Sequence, residues 1–144
     1  MTEYIFPKVI KDSFKVEGCH NLIKKQPMQI GLAERETAAF SDGGYVILDY
    51  GKEMNGGIRI LTFLTKNAKI RVRFGESLTE CCSNIGGEKN ATNDHATRDF
   101  YVDLQDYSDM TFGNTGFRFV RLDFSGEATV KSVIAINHIL KKKA

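Results

Sequence analysis

The sequence has no tryptophan and only three cysteines, Cys19, Cys81 and Cys82. An odd count with one adjacent pair excludes a disulfide framework. Adjacent cysteines also bridge poorly across the stiff trans peptide between them. An excess of one charge is missing as well, since the formal net charge is +2 over 144 residues. That balance argues against nucleic acid or an anionic membrane as a partner. The one basic run, Lys141 to Lys143, reads as a solvated tail. No apolar run approaches the ~18 residues of a membrane-spanning helix. The opening stretch is broken by Glu3, Pro7, Lys8, Lys11 and Asp12, which does not fit a secretory leader. A reducing, cytoplasmic setting is expected, and the glycosylation sequon Asn90-Ala91-Thr92 is then idle.

What is present is strand signal. Ile70, Val72 and Phe74 alternate with Lys69, Arg71 and Arg73, a period of two that gives one face to a core and one to water. Phe100, Val102 and Leu104 alternate in the same way with Tyr101, Asp103 and Gln105. The segments 45–50 and 58–64 are apolar on both phases and read as central strands. Val130, Ile134 and Ile136 belong to a last long strand ending near His138. Within 117–124, Phe117 and Phe119 share one phase, while Val120, Leu122 and Phe124 share the other. Such a phase change predicts a bulge or a strand buried on both faces. Turn signals fall between the runs: Asp42-Gly43-Gly44, Asn55-Gly56-Gly57, and Lys66-Asn67 at hairpin spacing. The pattern predicts an all-β, antiparallel sandwich. Its expected bounds are 28–140, with 1–27 as an arm packed on it and 141–144 as a basic tail.

Signatures of chemistry are sparse. There is no phosphate-binding glycine loop, dinucleotide fingerprint or His-Glu-x-x-His, and no Gly-x-Ser-x-Gly elbow. His20, His95 and His138 lie far apart. His95, in an acidic, amide-rich stretch, is either a surface histidine or a ligand contact. Cys81-Cys82 lacks partners at zinc spacing. Glu88, Asn90, Asn93 and Asp94 would give calcium some oxygens, but their spacing fits no EF-hand, and no cofactor is expected. Glu76 and Asp99, at predicted strand ends, are the best placed carboxylates for a glycosidase pair. Pairing of Glu76 with Arg98 or Arg118 is the simpler expectation.

A series of motifs then lines up in order: Leu48-Asp49-Tyr50-Gly51 with Asn55-Gly56-Gly57; Arg73-Phe74-Gly75-Glu76-Ser77-Leu78; Ala91-Thr92 followed by Ala96-Thr97-Arg98-Asp99-Phe100; and Gly116-Phe117-Arg118-Phe119-Val120-Arg121-Leu122. The series resembles the β-sandwich domain that precedes the catalytic barrel in bacterial α-L-rhamnosidases of glycoside hydrolase family 78. The resemblance covers roughly Met28 to Asn137. It implies a jelly-roll or galactose-binding-domain-like sandwich, within an enzyme that removes terminal L-rhamnose from glycosides. The family's catalytic acids stand on an (α/α)6 barrel, and the chain stops at Ala144, where that barrel is expected to begin. No catalytic residue is therefore assigned, and no hydrolase activity is expected of this chain alone.

The expected role is an accessory domain packed on such a barrel, with self-association when the packing face is bare. The alternative is a carbohydrate-binding module for rhamnose-containing glycans. Candidate ligand contacts are Asp49, Asn55, Glu76, His95, Arg98 and Asp99. With no tryptophan and most of the 10 phenylalanines suited to a core, Tyr45, Tyr101 and Tyr107 are the candidates to stack on a sugar.

Overall fold

The computed structural model describes residues 1–29, 36–82 and 98–139. In chain order the elements are β1 (Thr2–Ile5), β2 (Val9–Glu17), a 3-10 turn (Cys19–Ile23), β3 (Ala38–Gly75), α1 (Leu78–Cys82), β4 (Asp99–Asp103) and β5 (Asp109–His138). The runs β3 and β5 are 38 and 30 residues long. A strand in a globular protein rarely exceeds about ten residues. Each run therefore has to bend and serve more than one layer.

Pairing shows how. The front layer runs β2, residues 45–49, residues 119–125, residues 69–75, then β4. The back layer runs β1, residues 130–138, residues 56–62, then residues 109–116. Every pair is antiparallel. The chain thus folds as an antiparallel β-sandwich, and the alternation in its sequence is the cause. The inward phase of the front layer carries Val46, Leu48, Ile70, Val72, Phe74, Val120, Leu122 and Phe124, and the back layer answers with Ile58, Ile60, Val130, Val133 and Ala135. Phe117 closes the core at one end, its ring 4.9 Å from Phe74 and 6.1 Å from Tyr50. The buried Tyr50 hydroxyl donates to Val133 O at 2.9 Å, which joins the layers by a polar bond as well.

The phase change in 117–124 has a specific origin. Phe117 lies opposite Met54, and Phe119 lies opposite Asp49. Between them the partner changes, and the two rings end on different faces: Phe117 in the core, Phe119 outside the front layer beside Ile47 and Cys81.

Lys66-Asn67 is not the hairpin its spacing suggests. Residues 69–73 are paired on both edges, to β4 and to β5. Residues 56–65 likewise pair with β5 rather than with residues 69–73. So β3 and β5 form one long ribbon that bends round the corner between layers at 66–69 and 125–127. Gly126 stands at the inside of that bend, with φ 76, where an added Cβ would lie 2.1 Å from Asn67 O. Only glycine fits so close a backbone approach.

The segment 1–27, expected as a packed arm, supplies an edge strand to each layer, β1 at the back and β2 at the front. Edge strands have one open side, so their sequence is more polar and interrupted than that of a central strand. The expected basic tail at 141–144 lies outside the described residues.

Candidate functional site

The outward phase of the front layer is where the sequence places its arginines. Arg71 and Arg73 point outward because Ile70, Val72 and Phe74 point in, and Arg121 and Asp123 do so because Val120 and Leu122 point in. In the register, Arg71 sits opposite Asp123, and Arg73 opposite both Arg121 and Asp99. Two arginines directly opposed would repel. Asp123 resolves this by accepting from both, with Arg73 Nη2 at 2.7 Å and Arg121 Nε at 3.0 Å.

The other pairs on this face are two-pronged. Arg71 donates to Asp99 through Nε at 2.8 Å and Nη2 at 2.6 Å. Arg118 donates to Asp49 through Nε at 3.0 Å and Nη2 at 3.2 Å. Such forks match the planar guanidinium to the carboxylate and hold both in place. Burial works to raise the Asp49 carboxyl. The Arg118 bonds and the Gly51 N–H outweigh it and hold the group below its ordinary 3.8. At one flank the Tyr45 hydroxyl donates to Asp12 at 2.8 Å. The Arg121 guanidinium lies 4.5 Å from the Tyr45 ring centre.

Helix α1 lies on the same face. Cys81 is fully buried there against Ile47 and Phe119. Burial pushes its thiol up to about 12. Cys82, 3.9 Å away sulfur to sulfur, is exposed. A protonated, enclosed thiol is a packing group rather than a nucleophile.

The six candidate contacts do not form one constellation. Asp49 and Asp99 belong to the arginine face, at opposite sides of it. Arg98 pairs with Glu80 of α1 rather than with Glu76, and Arg118 pairs with Asp49. The expected Glu76 salt bridge is thus replaced, because the turn after Gly75 carries Glu76 out to an exposed position near Gly116. Asn55 is elsewhere, at the end of the back layer, where its N–H donates to Asn137 Oδ1 at 3.1 Å. His95 lies outside the described residues, as do Glu88, Asn90, Asn93 and Asp94. Among the described residues, no three histidine, cysteine or acidic side chains gather as a metal site.

The sequence reading did not single out Asp123 or Asp12. The signal was present in the outward phase itself, where Arg71 and Arg73 on one strand and Arg121 and Asp123 on another share a face. Pairing them needed the register.

A second feature is concave. At the corner where the β3–β5 ribbon bends, a cleft of about 1040 Å³ opens between β2, the first residues of β3, residues 64–66 and residues 127–129. None of the six candidate contacts lines it.

Fold and topology define an antiparallel β-sandwich of the galactose-binding-domain-like kind. Solved structures share this fold. A rhamnosidase from Klebsiella oxytoca with rhamnose bound superposes with a TM-score of 0.62 at 13% identity, over 95% of this chain and 29% of that one. The C-terminal domain of a chitobiase from Bacteroides fragilis gives a TM-score of 0.64 at 9% identity, over 96% and 100% of the two chains. A family 78 rhamnosidase of Bacillus sp. GL1 gives 0.51 at 14% identity, over 81% of this chain and 12% of that one. This chain therefore spans under a third of the Klebsiella enzyme it matches. No family model matches the sequence, and no curated protein matches it. The likeness is one of fold, shared with domains of glycoside hydrolases.

Proposed function

We propose that this chain is a non-catalytic accessory domain of an α-L-rhamnosidase-like glycoside hydrolase, and that it packs on an (α/α)6 catalytic barrel through the front face. The observation that carries the reading is the arginine ladder. On that face Asp49, Asp99 and Asp123 each accept charge-assisted bonds from arginine. Glycoside cleavage needs one carboxylic acid that still holds its proton and a second carboxylate across the bond. A carboxylate held by a guanidinium gives its oxygens to the arginine rather than to a glycosidic oxygen or an anomeric carbon.

The same face suits a protein partner. Arginine and aromatic residues are enriched in the cores of protein interfaces. Here Phe14 is 51% exposed, Tyr101 is 65% exposed, and Tyr45 lies half-buried between Phe14 and Arg121. Similarity to part of a rhamnosidase supports the choice of partner.

Two measurements test this. The chain alone should show no turnover of an aryl α-L-rhamnoside; turnover that disappears in Asp99→Asn or Glu76→Gln overturns the non-catalytic reading. With its partner absent, the front face should also drive concentration-dependent self-association in sedimentation. The double variant Phe14→Ser/Tyr101→Ser should reduce it, and a strict monomer at all concentrations counts against the docking face.

The second reading, a carbohydrate-binding module for rhamnose-containing glycans, is favoured by the corner cleft. Of the three stacking candidates, Tyr101 stands open on the front face, away from that cleft. Tyr45 is covered by Arg121, and Tyr107 stands edge-on to Phe63 at 5.0 Å.

A further inference from the structure

The front face is polar, yet its charges already satisfy one another. Arg71, Arg73, Arg98, Arg118 and Arg121 are each in an ion pair with a carboxylate of the same face. At the β4 edge Lys69 stands 3.8 Å from Asp103. Asp123 serves two guanidiniums, Arg73 and Arg121. The carboxylate that balances the second is Asp12, which accepts from the Tyr45 hydroxyl while the same ring lies against Arg121.

A forked pair uses the edge of a guanidinium and leaves its planes to stack on rings. Arg121 lies over the Tyr45 ring, and Arg118 lies over the Phe119 ring, 5.0 Å from its centre. Open rings stand at the margins. Phe14 is on β2 and Tyr101 on β4, the two edge strands of the front layer, and both are exposed. Four strand spacings separate these edges, roughly 19 Å. The usual interface has an apolar centre and a polar rim. Here paired charge fills the centre and aromatic rings flank it.

We propose that the partner of this face is an uncharged protein surface of the catalytic domain, which lays aromatic and aliphatic side chains across the paired ladder and reaches the rings at both edges. The charge pattern argues it. An acidic or basic side chain brought against the ladder loses its water and meets only groups that already have counter-ions, so its burial is unfavourable. Uncharged side chains carry no such penalty. Their rings and methylenes pack on guanidinium planes, as Tyr45 and Phe119 already do. The inference rests on the reading that the front face docks a catalytic domain.

Backbone amide shifts in NMR test it with two small probes. N-acetyl-L-phenylalaninamide is neutral and aromatic, and N-acetyl-L-glutamic acid α-amide carries one carboxylate. The neutral probe is expected to shift residues 12–14, 45–47, 99–101 and 121–123, with a Kd of roughly 10–100 mM. The acidic probe should leave them in place in the wild type. It should gain contact with Arg118 in Asp49→Asn and with Lys69 in Asp103→Asn, where a cation has lost its partner. Asp103 is 74% exposed, so its variant keeps the fold even if the other does not. The self-association expected of the chain alone should change by less than about three-fold between about 50 and 500 mM NaCl. A larger loss in salt, wild-type shifts with the acidic probe as strong as with the neutral one, no shift with the neutral probe, or silence of the acidic probe in both variants overturns the proposal. Those failures leave the accessory-domain reading standing. That reading falls on rhamnoside turnover or on strict monomeric behaviour, and the probe titrations read the face in either case.

Discussion

On the front face each aspartate that faces an arginine is bound by it, whereas at the corner cleft lysines and glutamates stand next to one another unpaired. Both regions are polar surfaces on the same scaffold, and both are built from residues of the outward phase. The difference lies in side-chain length and backbone. On the front face, the antiparallel register sets Arg71, Arg73 and Arg121 within fork distance of short aspartates. At the corner the ribbon bends, and Lys66 and Glu127 beside it, with Lys15 of β2, stand exposed without an ion pair among the described residues. Paired charge holds a fold or an interface in register. Unpaired charge keeps its hydrogen bonds available to something else.

The sharpest way to break that contrast is at Asp123. Asp123→Ala removes the shared acceptor of Arg73, 8% exposed, and Arg121, 21% exposed. The loss should be about 3 kcal/mol in urea unfolding, the low end for a buried pair, since Asp123 itself is 30% exposed. Cys81 gives a local readout, because it is enclosed by the same face. Its alkylation should be slow in the native protein and should speed up in Asp123→Ala, while Cys82 reacts at a similar rate in both. If the cleft binds a saccharide, as on the second reading, that binding should survive at a temperature where the variant is folded. Unchanged stability together with lost saccharide binding would mean that the ladder, not the corner, is the ligand site.

Asp49 gives a smaller and pH-dependent version. Arg118 is 41% exposed, so solvent screens the pair, and Asp49→Asn should cost about 1 kcal/mol at neutral pH. The sign with pH follows from the lowered carboxyl. The contribution is fully present above the ordinary 3.8 and is lost as pH falls through the lower folded value. Wild type and Asp49→Asn should therefore differ most above pH 4–5, roughly, and converge in acid. Curves that stay parallel down to strong acid would show that Asp49 is not held by Arg118.

How far the sequence reads ahead of the structure differs between these regions. The layers follow from alternation, and residues 69–74 and 100–104 read correctly because one face is buried and one wet. The double-phase run 117–124 was legible as irregular, but its cause is a strand that changes partner from Met54 to Asp49. Lys66-Asn67 carries hairpin chemistry, yet both flanking segments pair with β5. A turn sequence sets a local bend; it does not say which strand lies alongside. Asp49 and Asp99 stand out in the sequence through their motifs, and in the structure each is bound by an arginine. Register decides that, and it depends on contacts remote in sequence. The cleft was invisible for the same reason, since it joins residues from 15–17, 39–42, 64–66 and 127–129.

The smallest effect is the most discriminating, and it concerns Lys15. A lysine at φ 48 would be relaxed by glycine, which occupies that region without a Cβ penalty. Glycine also loosens the unfolded chain, so the two terms largely offset, and Lys15→Gly should be more stable by about 0.5 kcal/mol. If Lys15 were only a strained surface residue, that would be the whole result. If the Lys15 side chain serves a ligand at the neighbouring cleft, the more stable variant should bind methyl α-L-rhamnopyranoside more weakly, by about three-fold. A gain in melting temperature with unchanged affinity would separate Lys15 from the ligand and leave Glu17, Lys66 and Glu127 to carry the hydroxyl contacts.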